Sequence, residues 1–182
     1  MIFEETPLNN VWLIKPRRFK DNRGEFLETF RIESFKEQGL EYEFVQDNIS
    51  VSKKGTVRGL HYQLPPASQA KLVVVPAGKI LDVAVDMRPN SPTFKKAFTS
   101  VLSSQNRYML FIPTGYAHGF SVLSDEATVY YKCNNYYNKE LERGVRWDDP
   151  ALNIDWKVKT PILSDKDREL PLLEEMEETD LF

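Results

Sequence analysis

The chain is 182 residues long, 41% hydrophobic and 12% aromatic, which supplies one well-packed core and fits a single domain over residues 1–182. Lys and Arg total 24 against 27 Asp and Glu, a formal net charge of -3, so the chain lacks the basic field that a dedicated nucleic-acid binder needs. Cys133 is the only cysteine, which excludes an internal disulfide framework and a Cys-rich zinc site and suits a reducing compartment, the cytoplasm.

The first residues, MIFEETPLNN, carry two acids and no basic stretch ahead of an apolar one, so they do not read as a secretory signal. Val11–Ile14 is the first apolar run of strand length. Glu28–Leu40 reads as a short helix, with Phe30 and Phe35 on one side and Gly39 placed to end it. Further strand-length runs follow at Phe44–Val45, Leu72–Val75, Ile80–Val85, Met109–Ile112, Gly119–Leu123 and Ala127–Tyr131. They are rich in Val, Ile, Phe and Tyr, and the turns between them carry Pro-Ala-Gly, Arg-Pro-Asn-Ser-Pro and Pro-Thr-Gly. Such strands reverse often, which predicts an antiparallel sandwich or barrel. The most apolar region, Lys71–Met87, is broken by Pro76, Gly78, Lys79 and Asp82; it falls short of the roughly 20 uninterrupted apolar residues of a membrane helix, so the chain is expected to be soluble. From about Tyr137 the chain turns polar and irregular, and its acid-rich end, LEEMEETDLF, is expected on the surface. There is no internal repeat and no linker.

Strand alternation in Ile80–Asp86 puts Asp82, Ala84 and Asp86 on one face and Val83 and Val85 on the other. Two acids on one strand face imply either a polar, ligand-holding barrel interior or a solvated outer face. The two histidines, His61 and His118, both sit among glycines and aromatics, and histidine is the side chain best poised for proton transfer near neutral pH. A divalent metal would need several ligands at short strand spacing, and no glutamate accompanies His61. Ser50, Ser52 and Ser68 lie in no nucleophile elbow, and there is no P-loop or dinucleotide fingerprint. Side chains alone suit one reaction class well, the movement of a proton on and off a carbon acidified by an adjacent carbonyl. That needs a base, an acid on the opposite face and a cation near the enolate oxygen. His61, Lys71 and a tyrosine from the group Tyr130, Tyr131, Tyr136 and Tyr137 supply all three; spacing does not select among the tyrosines.

Ten segments, in order and across almost the whole chain, carry a resemblance. They are Asp21–Glu28 (DNRGEFLE), Phe44–Asn48 (FVQDN), Arg58–Gln63 (RGLHYQ), Gln69–Val73 (QAKLV) and Asp82–Asp86 (DVAVD), then Ile112–Phe120 (IPTGYAHGF), Tyr131–Lys132, Trp147–Pro150 (WDDP), Ile154–Trp156 (IDW) and Leu163–Asp167 (LSDKD). Together they resemble the dTDP-4-dehydrorhamnose 3,5-epimerases. The resemblance implies an all-β, cupin-type jelly-roll barrel (a double-stranded β-helix) with a few short helices, working as a homodimer without metal or coenzyme. It also implies epimerisation at C3 and C5 of dTDP-4-dehydro-6-deoxy-D-glucose.

By the same resemblance His61 is the general base and Asp167 its hydrogen-bond partner, Tyr131 donates a proton from the opposite face, and Lys71 stabilises the enolate. Binding falls to Arg23 and Arg58, suited to pyrophosphate, and to Gln46, Asp47 and Asn48. Glu28, His118, Glu142 and Lys166 join them, with Phe26 and Tyr137 as aromatic contacts. The N-terminal segment bearing Arg23 and Phe26 is implied to complete a neighbouring subunit's site. Tyr116 stands where many relatives have Phe, and Asp165 and Asp82 are the other acids that can partner His61. Asp167 is preferred because Ser164-Asp165-Lys166-Asp167 aligns with a Ser-x-Lys-Asp pattern. Single-centre epimerases share these motifs, so a 3- or 5-epimerase on a related nucleotide sugar is the alternative, and a non-catalytic nucleotide-sugar-binding barrel is a second.

Overall fold

The computed structural model describes all 182 residues. In chain order the strands are β1 (Ile2–Glu5), β2 (Trp12–Lys15), β3 (Arg18–Asp21), β4 (Gly24–Leu27), β5 (Gln46–Lys53), β6 (Val57–Gln63) and β7 (Lys71–Ala77). Then come β8 (Lys79–Asp86), β9 (Ala97–Ser103), β10 (Met109–Ile112), β11 (Tyr116–Val122), β12 (Glu126–Cys133) and β13 (Glu142–Gly144). Two short helices, α1 (Ile32–Lys36) and α2 (Asp165–Arg168), interrupt them. A six-stranded sheet runs β1-β2-β10-β7-β12-β5 and a five-stranded sheet runs β13-β6-β11-β8-β9, while β3 and β4 form a separate hairpin. Every strand pair is antiparallel. This is the jelly-roll barrel, two facing sheets whose inner faces share one core.

That core takes Val73, Val75, Leu110, Ile112 and Val129 from the larger sheet and Ile80, Ala84, Leu102, Phe120 and Val122 from the smaller. Each of these except Ala84 contributes about 1.5–3 kcal/mol on leaving water. Both outer faces are covered too. Val83, Val85 and Ala117 pack beneath Leu152, Trp156 and Leu173 of the C-terminal segment, and Leu72, Met109 and Phe111 pack beneath Phe35 and Leu40. Strand β8 is therefore buried on both faces, and neither Asp82 nor Asp86 meets solvent. The acid-rich end keeps its glutamates exposed, as expected of a surface segment, but Asp180 is half-buried and paired with Arg143, Leu173 is buried, and Met176, Leu181 and Phe182 also pack inward.

Two expected elements differ from those observed. The helix expected over Glu28–Leu40 is a single turn, Ile32–Lys36, with no side-chain cap at Arg31. Phe30 still meets Phe35, ring centroids 5.0 Å apart, so packing against the sheet fixes this turn and propensity does not extend it. The strand expected at Phe44–Val45 lies instead at Gln46–Lys53. There the usual pattern is inverted: Gln46, Asn48, Ser50 and Ser52 turn inward while Ile49 and Val51 are exposed. A search for apolar runs misses such a strand because its inner face lines a cleft and not the core.

Two glycines let β6 and β11 approach beside the cleft. Gly59 has φ +113°, and a Cβ there would lie 2.6 Å from Gly119 Cα and 2.7 Å from His118 O. A Cβ on Gly119 would lie 2.7 Å from Arg58 O. The β6–β11 register shifts between His118 and Phe120, a bulge that re-aims the adjoining side chains.

Candidate active site

His61 on β6 and His118 on β11 are register partners, which places both imidazoles on one wall of the cleft. The cleft holds a cavity of about 260 Å³ whose walls include His61, Lys71, His118 and Tyr131. A second cavity of about 280 Å³ shares His61, Lys71 and Tyr131 and continues past Gln46, Asn48, Tyr137 and Glu142. His61 comes from the five-stranded sheet and Tyr131 from the six-stranded one, so the imidazole and the phenol enter the shared cavity from facing walls.

The ring nitrogen Nε2 of His61 lies 2.6 Å from Asp167 Oδ1. Asp167 stands on α2, whose first turn is capped by the Ser164 hydroxyl accepting from the Asp167 backbone N–H at 3.1 Å. Burial raises the Asp167 carboxyl, but His61, the Ser164 hydroxyl and the Lys166 charge together outweigh it and hold the group below the ordinary aspartate value. With Nε2–H donated to this carboxylate, Nδ1 is the ring nitrogen left with a free lone pair. Of the other acids considered as His61 partners, Asp165 pairs with Arg168 at the surface, and Asp82 bonds His118 Nε2 at 2.7 Å.

Burial pushes the Tyr131 phenol up, which keeps it protonated. Burial pushes the Lys71 ammonium down from its ordinary value and does the same to the His118 imidazole. At the far end of the cleft, Lys166 Nζ lies 2.5 Å from Glu142, and Tyr137 donates its hydroxyl to Glu142 at 2.7 Å. That hydrogen bond pushes the Tyr137 phenol to about 12. Although burial opposes them, Lys166 and the Tyr137 hydroxyl together keep Glu142 below the usual carboxylate range. The Arg58 guanidinium leans on the Ser52 hydroxyl at 3.1 Å.

Four of the sequence-predicted binding residues lie outside this cleft. Arg23 is 86% exposed and paired with Asp21, Phe26 is 70% exposed, and Glu28 pairs with Arg31 at 2.6 Å. All three belong to the β3–β4 hairpin or its exit, on which this chain's own cleft does not draw. Asp47 points outward by strand alternation and pairs with Lys132 at 2.8 Å. Conversely, sequence reasoning passed over Ser50 and Ser164 as lining residues. The alternation Gln46, Asn48, Ser50, Ser52 was the available signal for the first, and the cap before Asp165 for the second. No three His, Cys, Asp or Glu side chains converge as an ion would require.

A jelly-roll barrel whose interior opposes an Asp-oriented imidazole to a protonated phenol, with a lysine on the wall of the same cavity, defines an acid–base isomerase. The model of the dTDP-4-dehydrorhamnose 3,5-epimerase family matches residues 5–175, and the chain belongs to that family. It is 52% identical over 164 residues to the dTDP-4-dehydrorhamnose 3,5-epimerase of Shigella flexneri, covering 90% of this chain and 91% of the relative. A dTDP-4-dehydrorhamnose 3-epimerase from Streptomyces niveus is 38% identical, covering 96% and 85%. Among solved structures, the dTDP-6-deoxy-D-glucose-3,5-epimerase of Legionella pneumophila Philadelphia 1, in complex with dTDP-4-keto-L-rhamnose, superposes with a TM-score of 0.95 at 42% identity, covering 99% and 96%.

Proposed function

We propose that this protein epimerises C3 and C5 of dTDP-4-dehydro-6-deoxy-D-glucose, giving dTDP-4-dehydro-L-rhamnose for dTDP-L-rhamnose synthesis in the cytoplasm. The observation that carries the reading is the Asp167-held His61 facing Tyr131 across one cavity, with Lys71 on its wall. His61 takes the proton from the carbon beside the ketone through Nδ1, and Asp167 stabilises the imidazolium that forms. Lys71 stabilises the developing enolate oxygen. Tyr131 then protonates the same carbon from the other side, and delivery from the opposite face is what inverts the centre.

The nucleotide lies along the second cavity, with Tyr137 stacking on the base and Gln46 and Asn48 offering donors and acceptors; Glu142 and Lys166 line the same end. Arg58 takes the pyrophosphate. The protein works as a homodimer in which a second copy's hairpin brings Arg23, Phe26 and Glu28 to the site. Exposed Phe19 and Phe26 on that hairpin, and exposed Ile49 and Val51 along the free edge strand β5 with Val45 just before it, are apolar surface of the kind an interface covers. Light scattering on wild type and Phe26→Asp checks this: a dimer that weakens and loses activity is expected, and a fully active monomer overturns it.

Incubation with substrate in deuterated water tests the reaction itself. Label at both C3 and C5 is expected; label at one carbon makes the protein a single-centre epimerase, and none at either refutes the proposal.

A further inference from the structure

Asp82 is fully buried behind His118, a wall residue of the cleft, and only half of its carboxylate is used. Oδ1 accepts from His118 Nε2 at 2.7 Å, while Oδ2 is buried with no hydrogen-bond partner. An unclaimed oxygen on a buried carboxylate is costly to a fold. Nothing in the packing of β8 demands it, since Ala84 and Val83 beside it are ordinary core residues.

The charges around the cleft say what Asp82 faces. Lys71, at the start of β7, enters the same cavity as His118 and forms no ion pair of its own. Burial is the main influence driving its proton off, and the neighbouring Lys166 ammonium adds to it. Glu142 and Asp82 both support the Lys71 charge, but the acids other than Asp82 are committed elsewhere. Glu142 on β13 is held by Lys166 at 2.5 Å, and Asp167 on α2 by His61. The Cys133 thiol and the Tyr131 phenol on β12 are pushed up by burial and stay neutral. The His118 imidazole is pushed down by burial, so its Nε2–H is a neutral donor and leaves the Asp82 charge uncancelled.

We propose that Asp82 is a positioning residue for the reaction: the buried counter-charge that keeps Lys71 an ammonium at the substrate ketone, while its hydrogen bond to Nε2 holds the His118 ring. The inference rests on the epimerase reading above for its kinetic consequence, but not for its effect on Lys71. A residue retained for packing would weaken the fold when replaced. One retained as a counter-charge can be replaced by an isosteric amide without loss of stability, and its removal is felt at Lys71.

The test is Asp82→Asn, which keeps an acceptor for His118 and removes the charge. The first readout is the 13Cε NMR titration of Lys71, assigned with Lys71→Arg, in substrate-free wild type and variant. The Lys71 midpoint is expected to fall by about one pH unit or more in Asp82→Asn, and an unmoved midpoint overturns the inference whether or not the protein is an epimerase. The second readout is kinetic: the alkaline limb of kcat moves to lower pH by the same amount. At a pH above that limb kcat drops about tenfold per unit, with KM and thymidine diphosphate affinity near wild type and Tm unchanged or higher. A Tm loss with an unshifted limb returns Asp82 to a structural role. Failure of wild type to label its substrate strikes the epimerase reading alone, because the Lys71 titration stands independently.

Discussion

Replacing Asp167 by Asn tests the proposed base most directly, because it changes one charge and one hydrogen-bonding option at nearly constant volume. In the wild type, the carboxylate 2.6 Å from His61 Nε2 fixes the tautomer with the proton on Nε2 and leaves Nδ1 to act. The Asn amide can turn its NH2 toward the ring and select the opposite tautomer, which places the proton on the nitrogen that must accept one. It also removes the charge that offsets the imidazolium formed as the carbon loses its proton. For charges about 4 Å apart at an effective dielectric of about 20, that attraction is about 4 kcal/mol, or about a thousandfold in rate. The Asp167 side chain is 5% exposed and His61 26% exposed, so solvent screens the pair incompletely. Steady-state kinetics on Asp167→Asn should therefore show kcat lower by about a thousandfold with KM within a few-fold, since the lost interaction belongs to the transition state. A loss smaller than about tenfold, or one carried mainly by KM, would refute the assignment of Asp167 as the partner that makes His61 a base.

Tyr131→Phe removes a phenol that no protein group hydrogen-bonds, so Tm should hold while inversion stops; because His61 remains, substrate should still exchange its hydrogen with deuterated water, and loss of both exchange and inversion would contradict the division of labour. Gly59→Ala forces a Cβ to 2.6 Å from Gly119 Cα at φ +113° and should cost about 3 kcal/mol or more in denaturant unfolding; a Tm within about 2 °C of wild type would show that β6 and β11 can part. Asp167, Glu142 and Asp86 are all held below their ordinary values, Asp86 against its own burial by hydrogen bonds from Arg88, Ser91 and Thr93. Depressed carboxylates contribute stability above their unfolded values and lose it as pH falls through the folded ones, so Tm should drop steeply below about pH 4. Asp86→Asn should flatten that acid limb, and an unaltered limb would rule Asp86 out of it.

What the sequence disclosed and what it hid follow from one physical distinction, between side chains that bury apolar surface and side chains that line a cleft. Strands β7, β8, β10, β11 and β12 were legible because their inward residues are Val, Ile, Leu, Phe and Ala packed into a shared core, so apolar runs mark them directly. Strand β5 was misplaced because its inward residues are Gln46, Asn48, Ser50 and Ser52, polar side chains on the cleft side of the strand where an apolar run would be sought. The helix at Ile32–Lys36 was overdrawn for a related reason, in that Phe30 and Phe35 share a side because they pack on the sheet and not because a helix joins them. The acids separate along the same line. Composition and alternation put Asp82 and Asp86 on one strand face, and both are buried. Asp86 has each oxygen bonded, by Arg88, Ser91 and Thr93, as a buried charge serving structure should, whereas Asp82 leaves one oxygen unclaimed. Strand alternation does not distinguish the two, because the difference lies in their partners: a local turn for Asp86, and for Asp82 a histidine 36 residues away. Arg23, Phe26 and Glu28 mark the remaining limit. The motif that contains them is plain in sequence, yet a single chain leaves them exposed; the proposed dimer assigns them to a second copy's site, and no local pattern encodes which copy a side chain serves.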